Sequence, residues 1–224
     1  MGDTLETRVR EVEERIALAA RASGREVSDI TTIVVTKFHP AQLVRKLFAL
    51  GIRHVGENRH QEAVAKHAEL AELDLTWHFI GQLQSNKARA VAEYARVIHS
   101  VDRPSLVSAL ANQDREVDVF LEINLTDIPG RGGVMPGDLE SLCEAVLQVP
   151  QLNLRGVMAV APVDEEPAPA FDRVLGYAAR VRALAPGARD LSIGMSGDFE
   201  AAIARGATHL RIGTAITGKR PAGA

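Results

Sequence analysis

The stretch from residue 29 to 58, DITTIVVTKFHPAQLVRKLFALGIRHVGEN, decides the fold. It contains a continuous β-branched run from Ile33 to Val35, which is typical of a strand buried on both faces. A predicted helix over about 41–50 comes next and ends at Gly51. A second short strand, IRHVGE, follows that glycine. The order strand, helix, strand predicts a parallel βαβ unit.

The same unit recurs along the whole chain. We predict eight strands, which begin near residues 30, 53, 76, 97, 118, 154, 190 and 208. A helix follows each of the first seven strands, and the first five strands begin 23, 23, 21 and 21 residues apart. The pattern predicts an α/β fold, a single (β/α)8 TIM barrel over residues 1–224 with an extra N-terminal helix over 4–22. An open, doubly wound sheet is the alternative, although no G-x-G-x-x-G follows the first strand.

Composition limits the classes of function. The 224 residues are 46% hydrophobic and 25% charged, values typical of a soluble globular protein. With 26 basic and 29 acidic residues the net charge is −3, which argues against nucleic acid as a partner. The N-terminal helix has neither an apolar signal core nor a membrane span, so no membrane partner is expected. Because Cys143 is the single cysteine and lies in a helical pattern, we expect it to pack in a cytoplasmic protein.

Lysine is scarce in this chain, with 5 lysines against 21 arginines, so Lys37 at the end of the first strand stands out. An amine behind the apolar run is partly desolvated, which favours the neutral form that a Schiff base requires. The alternative is a strand-end lysine that extends into solvent. Lys37 is nevertheless a candidate functional group, because active sites of such barrels lie at the carboxyl ends of the strands.

Small and hydroxyl-bearing residues follow the last two strands. Ser196 follows strand seven, and Gly213 and Thr214 follow strand eight, where barrels of this type often bind phosphate. Ser196 could instead cap the helix that begins near residue 198. The glycine-rich segment DIPGRGG (127–133) is predicted to be a mobile loop. No metal-binding spacing such as H-E-x-x-H or C-x-x-C occurs.

Several charged and polar side chains are expected near the barrel interior. Arg211 lies within the apolar run HLRIGTAI, so it must either pair or bind a ligand. A salt bridge to Glu57 or Glu122 would satisfy it, while these carboxylates and Asn124 could also line a pocket. His78 in TWHFIG could stack on a ring or handle a proton, although a hydrogen-bonded core histidine is the more common arrangement.

Six short motifs are spread over nearly the whole chain. They are VVTK (34–37), VGEN (55–58), WHFIGQLQSNK (77–87), LRGVMAV (154–160), SIGMSGDFEAAIARGAT (192–208) and RIGTAITG (211–218). Together and in this order they resemble the pyridoxal phosphate homeostasis protein family. That family is in turn similar to the N-terminal barrel domain of alanine racemases.

The resemblance implies a cofactor, pyridoxal 5′-phosphate (PLP), held as an aldimine on Lys37. The other cofactor-binding residues that it implies are Asn58, His78, Ser196, Arg211, Gly213 and Thr214. It assigns the phosphate to the loops after strands seven and eight, and the pyridine nitrogen to Arg211. Asn58 and His78 are then expected around the ring.

The resemblance also implies a role in intracellular PLP homeostasis without established turnover, in a monomer whose partners are PLP and apo-enzymes that need it. A PLP-dependent racemase or decarboxylase is one alternative. Such enzymes carry a further β-domain with a tyrosine acid–base, whereas this chain ends soon after Arg211 and its Tyr94 and Tyr177 lie in predicted helices. A cofactor-free Schiff-base aldolase is the other alternative.

Overall fold

A computed structural model describes residues 3–126, 128 and 131–219 and confirms the predicted α/β barrel. Eight parallel strands pair in sequence order and close on themselves. The strands are β1 (Thr31–Val35), β2 (His54–Glu57), β3 (Thr76–Phe79), β4 (Val97–Val101), β5 (Val117–Ile123), β6 (Leu152–Ala159), β7 (Asp190–Met195) and β8 (His209–Ile212).

Helices surround the strands on the outside. They are α1 (Leu5–Ala22), α2 (Ala41–Ala49), α3 (His60–Glu69), α4 (Ala88–Tyr94), α5 (Pro104–Leu110), α6 (Leu139–Leu147), α7 (Pro167–Leu184), α8 (Phe199–Ile203) and α9 (Thr214–Thr217). The short helix α9 was not predicted from the sequence. Among the described residues, no helix is long and apolar enough to cross a lipid bilayer.

Pairing between β1 and β8 closes the barrel and rules out the open sheet. Val34 lies opposite Ile212 on one side and opposite Val55 of β2 on the other. Because β1 has a strand on both edges and is covered on both faces, Ile33 and Val34 are fully buried. The continuous apolar run is the sequence signature of this position.

The predicted extra helix, α1, covers the outside of the last units. Its buried residues Val9, Val12, Ile16 and Ala20 recur at helical spacing and pack against α8 and α9. Arg8 adds a polar contact, since its Nε donates to the carbonyl of Ile216 at 2.7 Å. The helix therefore supports, from outside, the short helix α9 that follows β8.

The barrel interior is unusually polar for a core. Its apolar side chains include a small cluster of Val97, Phe120 and Met158, separate from the large apolar layer between strands and helices. Histidine and arginine side chains occupy much of the remaining interior. Of the predicted loop over 127–133, residues 127, 129 and 130 lie outside the described residues.

Two glycines give a matched test of this packing. A Cβ on Gly156 of β6 would lie 1.9 Å from the carbonyl oxygen of Asp190, whereas one on Gly176 of α7 would meet nothing within 4 Å. We expect Gly156→Ala to lower the free energy of unfolding by about 2–4 kcal/mol. Gly176→Ala should raise it by about 0.5–1 kcal/mol, because alanine is the better helix former. Urea unfolding measures both, and a tolerated Gly156→Ala would contradict the close approach of β6 and β7.

Candidate functional site

One cavity opens at the carboxyl ends of the strands and has a volume of about 480 Å³. Its lining residues are Val35, Lys37, Asn58, Ile80, Val160, Met195, Ser196, Gly197, Arg211, Gly213 and Thr214. We call it the Lys37 cavity. Its volume lies within the range of small-molecule sites. Six of the seven predicted cofactor-binding residues line it, and His78 does not.

Lys37 follows directly after β1 and is half-buried at the cavity wall. Its Nζ lies 5.9 Å from the ring centroid of Phe38, and no described carboxylate forms an ion pair with it. Phe38 adopts a positive φ of 68°, and its N–H donates to Glu62 at 3.0 Å. This turn ends the strand and leaves the amine directed toward a cavity rather than neutralised by a partner.

A buried ion pair supports the backbone next to Lys37. Lys66 of α3 donates from Nζ to Glu57 Oε1 and to the carbonyl of Thr36, both at 2.7 Å. The Thr36 hydroxyl donates to the same carboxylate oxygen at 2.6 Å. Glu57 therefore pairs with Lys66 and not with Arg211. Sequence reasoning missed Lys66, although its spacing from Ala63 and Leu70 places it on the buried face of α3.

Arg211 enters the barrel from β8 and is only 4% exposed. Its Nη1 donates to the carbonyl and the hydroxyl of Ser192 at 2.6 and 2.7 Å, and its Nη2 donates to the carbonyl of Ala159 at 2.9 Å. Three of five N–H groups are thus used, and the other two have no partner among the described residues. Burial lowers the pKa of Arg211 to about 10, so the guanidinium remains charged at neutral pH.

The loops after β7 and β8 meet at the cavity rim. Ser196 Oγ accepts from the backbone N–H groups of Gly213 and Ala215, both at 3.2 Å. Ser196 therefore caps α9. The alternative that the sequence left open, that Ser196 caps the helix beginning near residue 198, is not what these contacts show. A Cβ on Gly213 would meet only Val35 at 3.7 Å, and Thr214 is exposed to the cavity. Hydroxyl and backbone donors of these residues lie together, as an anion site requires.

Asn58 lines the cavity, and the segment after β3 packs closely against its backbone. A Cβ on Gly81 would lie 2.3 Å from the carbonyl oxygen of Asn58, so this position requires glycine. The side-chain Oδ1 of Asn58 is buried and has no hydrogen-bond partner in the part of the chain that the structure describes. An unpartnered polar atom at a cavity wall favours a ligand there.

His78 differs from the expectation that it surrounds the ring. It lies two residues before Ile80 on the same face of β3, and Ile80 is the residue that lines the cavity. The His78 ring lies deeper and is hydrogen-bonded to His54 at 3.0 Å and to His99 at 2.9 Å. Burial, with charge from His54 and His209, lowers the pKa of His78 well below its usual value. The core-histidine alternative therefore describes it.

The two remaining polar candidates have separate roles. Asn124 Oδ1 accepts from the N–H and the hydroxyl of Thr126, and its Nδ2 donates to the carbonyl of Arg131, so it organises the entry of the loop. Glu122 forms no ion pair with Arg211, and its Oε2 is buried without a partner among the described residues. Burial and the nearby Asp102 raise the pKa of Glu122 to about 7, although Arg211 opposes the shift.

Comparison with known proteins now decides the family. The family model described as alanine racemase, N-terminal domain, matches residues 10–221. The pyridoxal phosphate homeostasis protein of Pseudomonas aeruginosa is 43% identical over 231 residues, which cover 99% of this chain and 98% of that protein. This chain belongs to the pyridoxal phosphate homeostasis protein family. The family expectation from the six motifs is confirmed.

Solved structures of related barrels agree with this assignment. PipY of Synechococcus elongatus PCC7942, solved with PLP bound, is 40% identical, and the match covers 92% of this chain and all of that one with a TM-score of 0.80. An alanine racemase from Corynebacterium glutamicum is 18% identical with a TM-score of 0.67, covering 95% of this chain and 62% of the racemase. The likeness to the racemase concerns the fold alone, whereas PipY matches this chain at much higher identity.

The unpartnered carboxyl of Glu122 predicts a pH-dependent stability. Its folded-state pKa lies above its ordinary value, so its ionisation destabilises the fold increasingly as pH rises from about 4.5 to 7. Glu122→Gln cannot ionise and should stabilise the protein more at pH 8 than at pH 5, with a difference on the order of 2 kcal/mol. Urea unfolding at both pH values measures it. The exposed Glu93→Gln is the control, and an equal effect of Glu122→Gln at both pH values would contradict the assignment.

Proposed function

We propose that this protein binds PLP in the Lys37 cavity, attached covalently to Lys37, and serves in PLP homeostasis rather than in amino-acid turnover. One observation carries the proposal. An amine without an ion pair, a buried guanidinium with unused N–H groups and a donor-rich pair of loops line the same cavity. The PLP-bound PipY relative supports the same cofactor.

These residues fit the chemical groups of PLP. The cofactor carries an aldehyde, a phosphate and a basic ring nitrogen, and when bound it supplies an electrophilic carbon and an electron-withdrawing ring. The Lys37 amine suits the aldehyde. Ser196, Gly213 and Thr214 suit the phosphate, because an anion can accept from the Ser196 and Thr214 hydroxyls, and Gly213 carries no side chain that would hinder its approach. The two unused N–H groups of Arg211 suit an unprotonated ring nitrogen, which is an acceptor.

Two features favour storage over turnover. Arg211 stays charged at neutral pH, so a ring nitrogen beside it is held unprotonated, and such a ring is a weaker electron sink. Neither tyrosine lines the cavity: Tyr94 lies buried on α4, where burial raises its pKa, and Tyr177 lies on α7 beside Arg180. Among the described residues of this chain, no tyrosine therefore lies where a racemase would need its acid–base group. The proposed recipients of the cofactor are apo-enzymes that need PLP. The proposed location is the cytoplasm, because a free, buried Cys143 is typical of a reducing compartment.

Covalent attachment has a direct test. Borohydride reduction of the PLP-loaded protein, followed by peptide mass spectrometry, should place a single adduct on Lys37. Lys37→Ala should lose the adduct and the visible absorption band while keeping the unfolding free energy of the native protein within about 1 kcal/mol, because the side chain has no ion pair to lose. Lys46→Ala, on α2 outside the cavity, is the matched control and should keep both signals. An adduct on any other lysine in the native protein would overturn the assignment.

Storage and turnover of amino acids differ in how fast the Cα proton of an amino acid exchanges with solvent. With PLP-loaded protein in heavy water, a panel of L- and D-amino acids should show at most slow deuterium incorporation at Cα, well below the rate of about 1 s⁻¹ that is ordinary for an enzyme. Arg211→Glu should raise the exchange rate, because a carboxylate there would favour a protonated ring nitrogen. Exchange near 1 s⁻¹ in the native protein would instead favour the racemase alternative.

A further inference from the structure

Three histidines and a serine form a continuous hydrogen-bonded line through the barrel. His54 Nδ1 lies 3.0 Å from His78 Nε2, and His78 Nδ1 lies 2.9 Å from His99 Nε2. His99 Nδ1 in turn lies 2.8 Å from Ser192 Oγ. We call these four residues the histidine column. It runs from β2 across β3 and β4 to β7, and its last member touches Arg211.

The column connects two different environments. His54 stands at the first residue of β2, near the end of the barrel opposite the Lys37 cavity, and is partly exposed. His78 and His99 are 2% and 0% exposed, and Ser192 is fully buried. At the other end Ser192 Oγ lies 2.7 Å from Arg211 Nη1. The column is thus a buried polar path from the far end of the barrel to the guanidinium at the cavity.

The charge on Arg211 determines where every proton in the column lies. A guanidinium can only donate, so Ser192 Oγ accepts from Nη1. Ser192 is fully buried, so its own hydroxyl proton needs an acceptor, and His99 Nδ1 is the only one available among the described residues. His99 therefore carries its proton on Nε2 and donates to His78 Nδ1. His78 likewise carries its proton on Nε2 and donates to His54 Nδ1.

We infer that Ser192 and His99 are positioning residues for Arg211, and that all three histidines of the column are neutral with the proton on Nε2. The inference rests on the proposed function only where it concerns PLP. Ser192 offers Arg211 two acceptors on one residue, its carbonyl and its hydroxyl, and His99 keeps that hydroxyl turned correctly. With Nη1 held in this way, the guanidinium keeps a fixed orientation where it lines the cavity.

The surroundings of the column favour neutral rings. His209 packs against His78 and His99 with ring centroids 6.5 and 6.1 Å away, and Phe120 stacks on His99 at 4.6 Å. Burial lowers the pKa of all four histidines, and Arg211 lowers that of His99 and His209 further.

The other charged groups that act on this region are Asp190 and Arg155 beside His209, and Glu122 and Asp198 toward Arg211. Asp190 is paired with Arg155 at 2.7 Å, so its charge is largely matched. No carboxylate among the described residues forms an ion pair with a histidine of the column. A proton added to His54 Nδ1 would therefore require the donor and acceptor of every hydrogen bond up to Ser192 to exchange roles. The guanidinium opposes this exchange, because it can only donate to Ser192.

The direct test is the tautomer of each histidine in the PLP-free protein, measured from the ¹⁵N and ¹³C shifts of the imidazole rings. His54, His78 and His99 should each show a neutral ring protonated on Nε2 at pH 7.5. Finding the proton of His99 on Nδ1 would overturn the inference. Because no cofactor is present, this result is independent of whether the proposed function holds.

A serine pair separates positioning from packing. Ser192→Ala removes the hydroxyl that accepts from Arg211 and donates to His99, while the backbone carbonyl remains, so His99 should lose its single tautomer and PLP affinity should fall about tenfold. Ser100→Ala is the matched control, since Ser100 on β4 is equally buried but its hydroxyl has no partner among the described residues. It should change neither quantity. Equal effects of the two substitutions, with both variants folded by circular dichroism, would contradict a positioning role.

A second pair tests the link through His99. His99→Asn keeps an amide near the Nδ1 position, next to Ser192, and His99→Gln keeps one near the Nε2 position, next to His78. We expect His99→Asn to retain PLP affinity within about threefold and His99→Gln to lose about as much as Ser192→Ala. The reverse order would show that the contact with Ser192 does not matter. If the native protein binds no PLP, the proposed function fails, while the tautomers still decide this inference.

Discussion

Arg211 brings a positive charge into the interior of the barrel, where it forms no ion pair with any described carboxylate. A guanidinium in that position is costly unless other groups solvate it. Here the carbonyls of Ser192 and Ala159 and the Ser192 hydroxyl do so, which ties β8 to β7 and β6. The closed sheet makes this possible, because three neighbouring strands, β6, β7 and β8, all contribute groups around the guanidinium.

The same charge divides the interior into two parts with different chemistry. On one side of Arg211 lies the Lys37 cavity, where the amine is not paired and the loops after β7 and β8 offer donors. On the other side lie the histidines, whose pKa values burial lowers. Outside the barrel, Lys66 and Glu57 stabilise the segment before Lys37 by a buried pair, so Lys66 has a structural partner while Lys37 forms no ion pair with a described carboxylate.

Much of this arrangement could be predicted from the sequence, because alternation of strand and helix and the position of a residue after a strand are local properties. Lys37, Ser196, Gly213 and Thr214 follow strands, and a closed parallel barrel brings all strand ends to one rim. The sequence places His78 and Ile80 on the same face, because they are two residues apart, but it does not specify which of the two lies level with the cavity; in the structure Ile80 lines it and His78 lies deeper. The partners of Arg211 and Lys66 depend on contacts between distant elements, and no local pattern in the chain specifies those.

The central claim is that one cavity holds PLP between Lys37 and Arg211. A crystal structure of the protein grown with PLP tests it most directly. The account predicts continuous density from Lys37 Nζ to the cofactor, the phosphate at Ser196, Gly213 and Thr214, and the ring nitrogen within hydrogen-bond distance of Arg211. A cofactor attached to another lysine, or a ring nitrogen that faces away from Arg211, would contradict it.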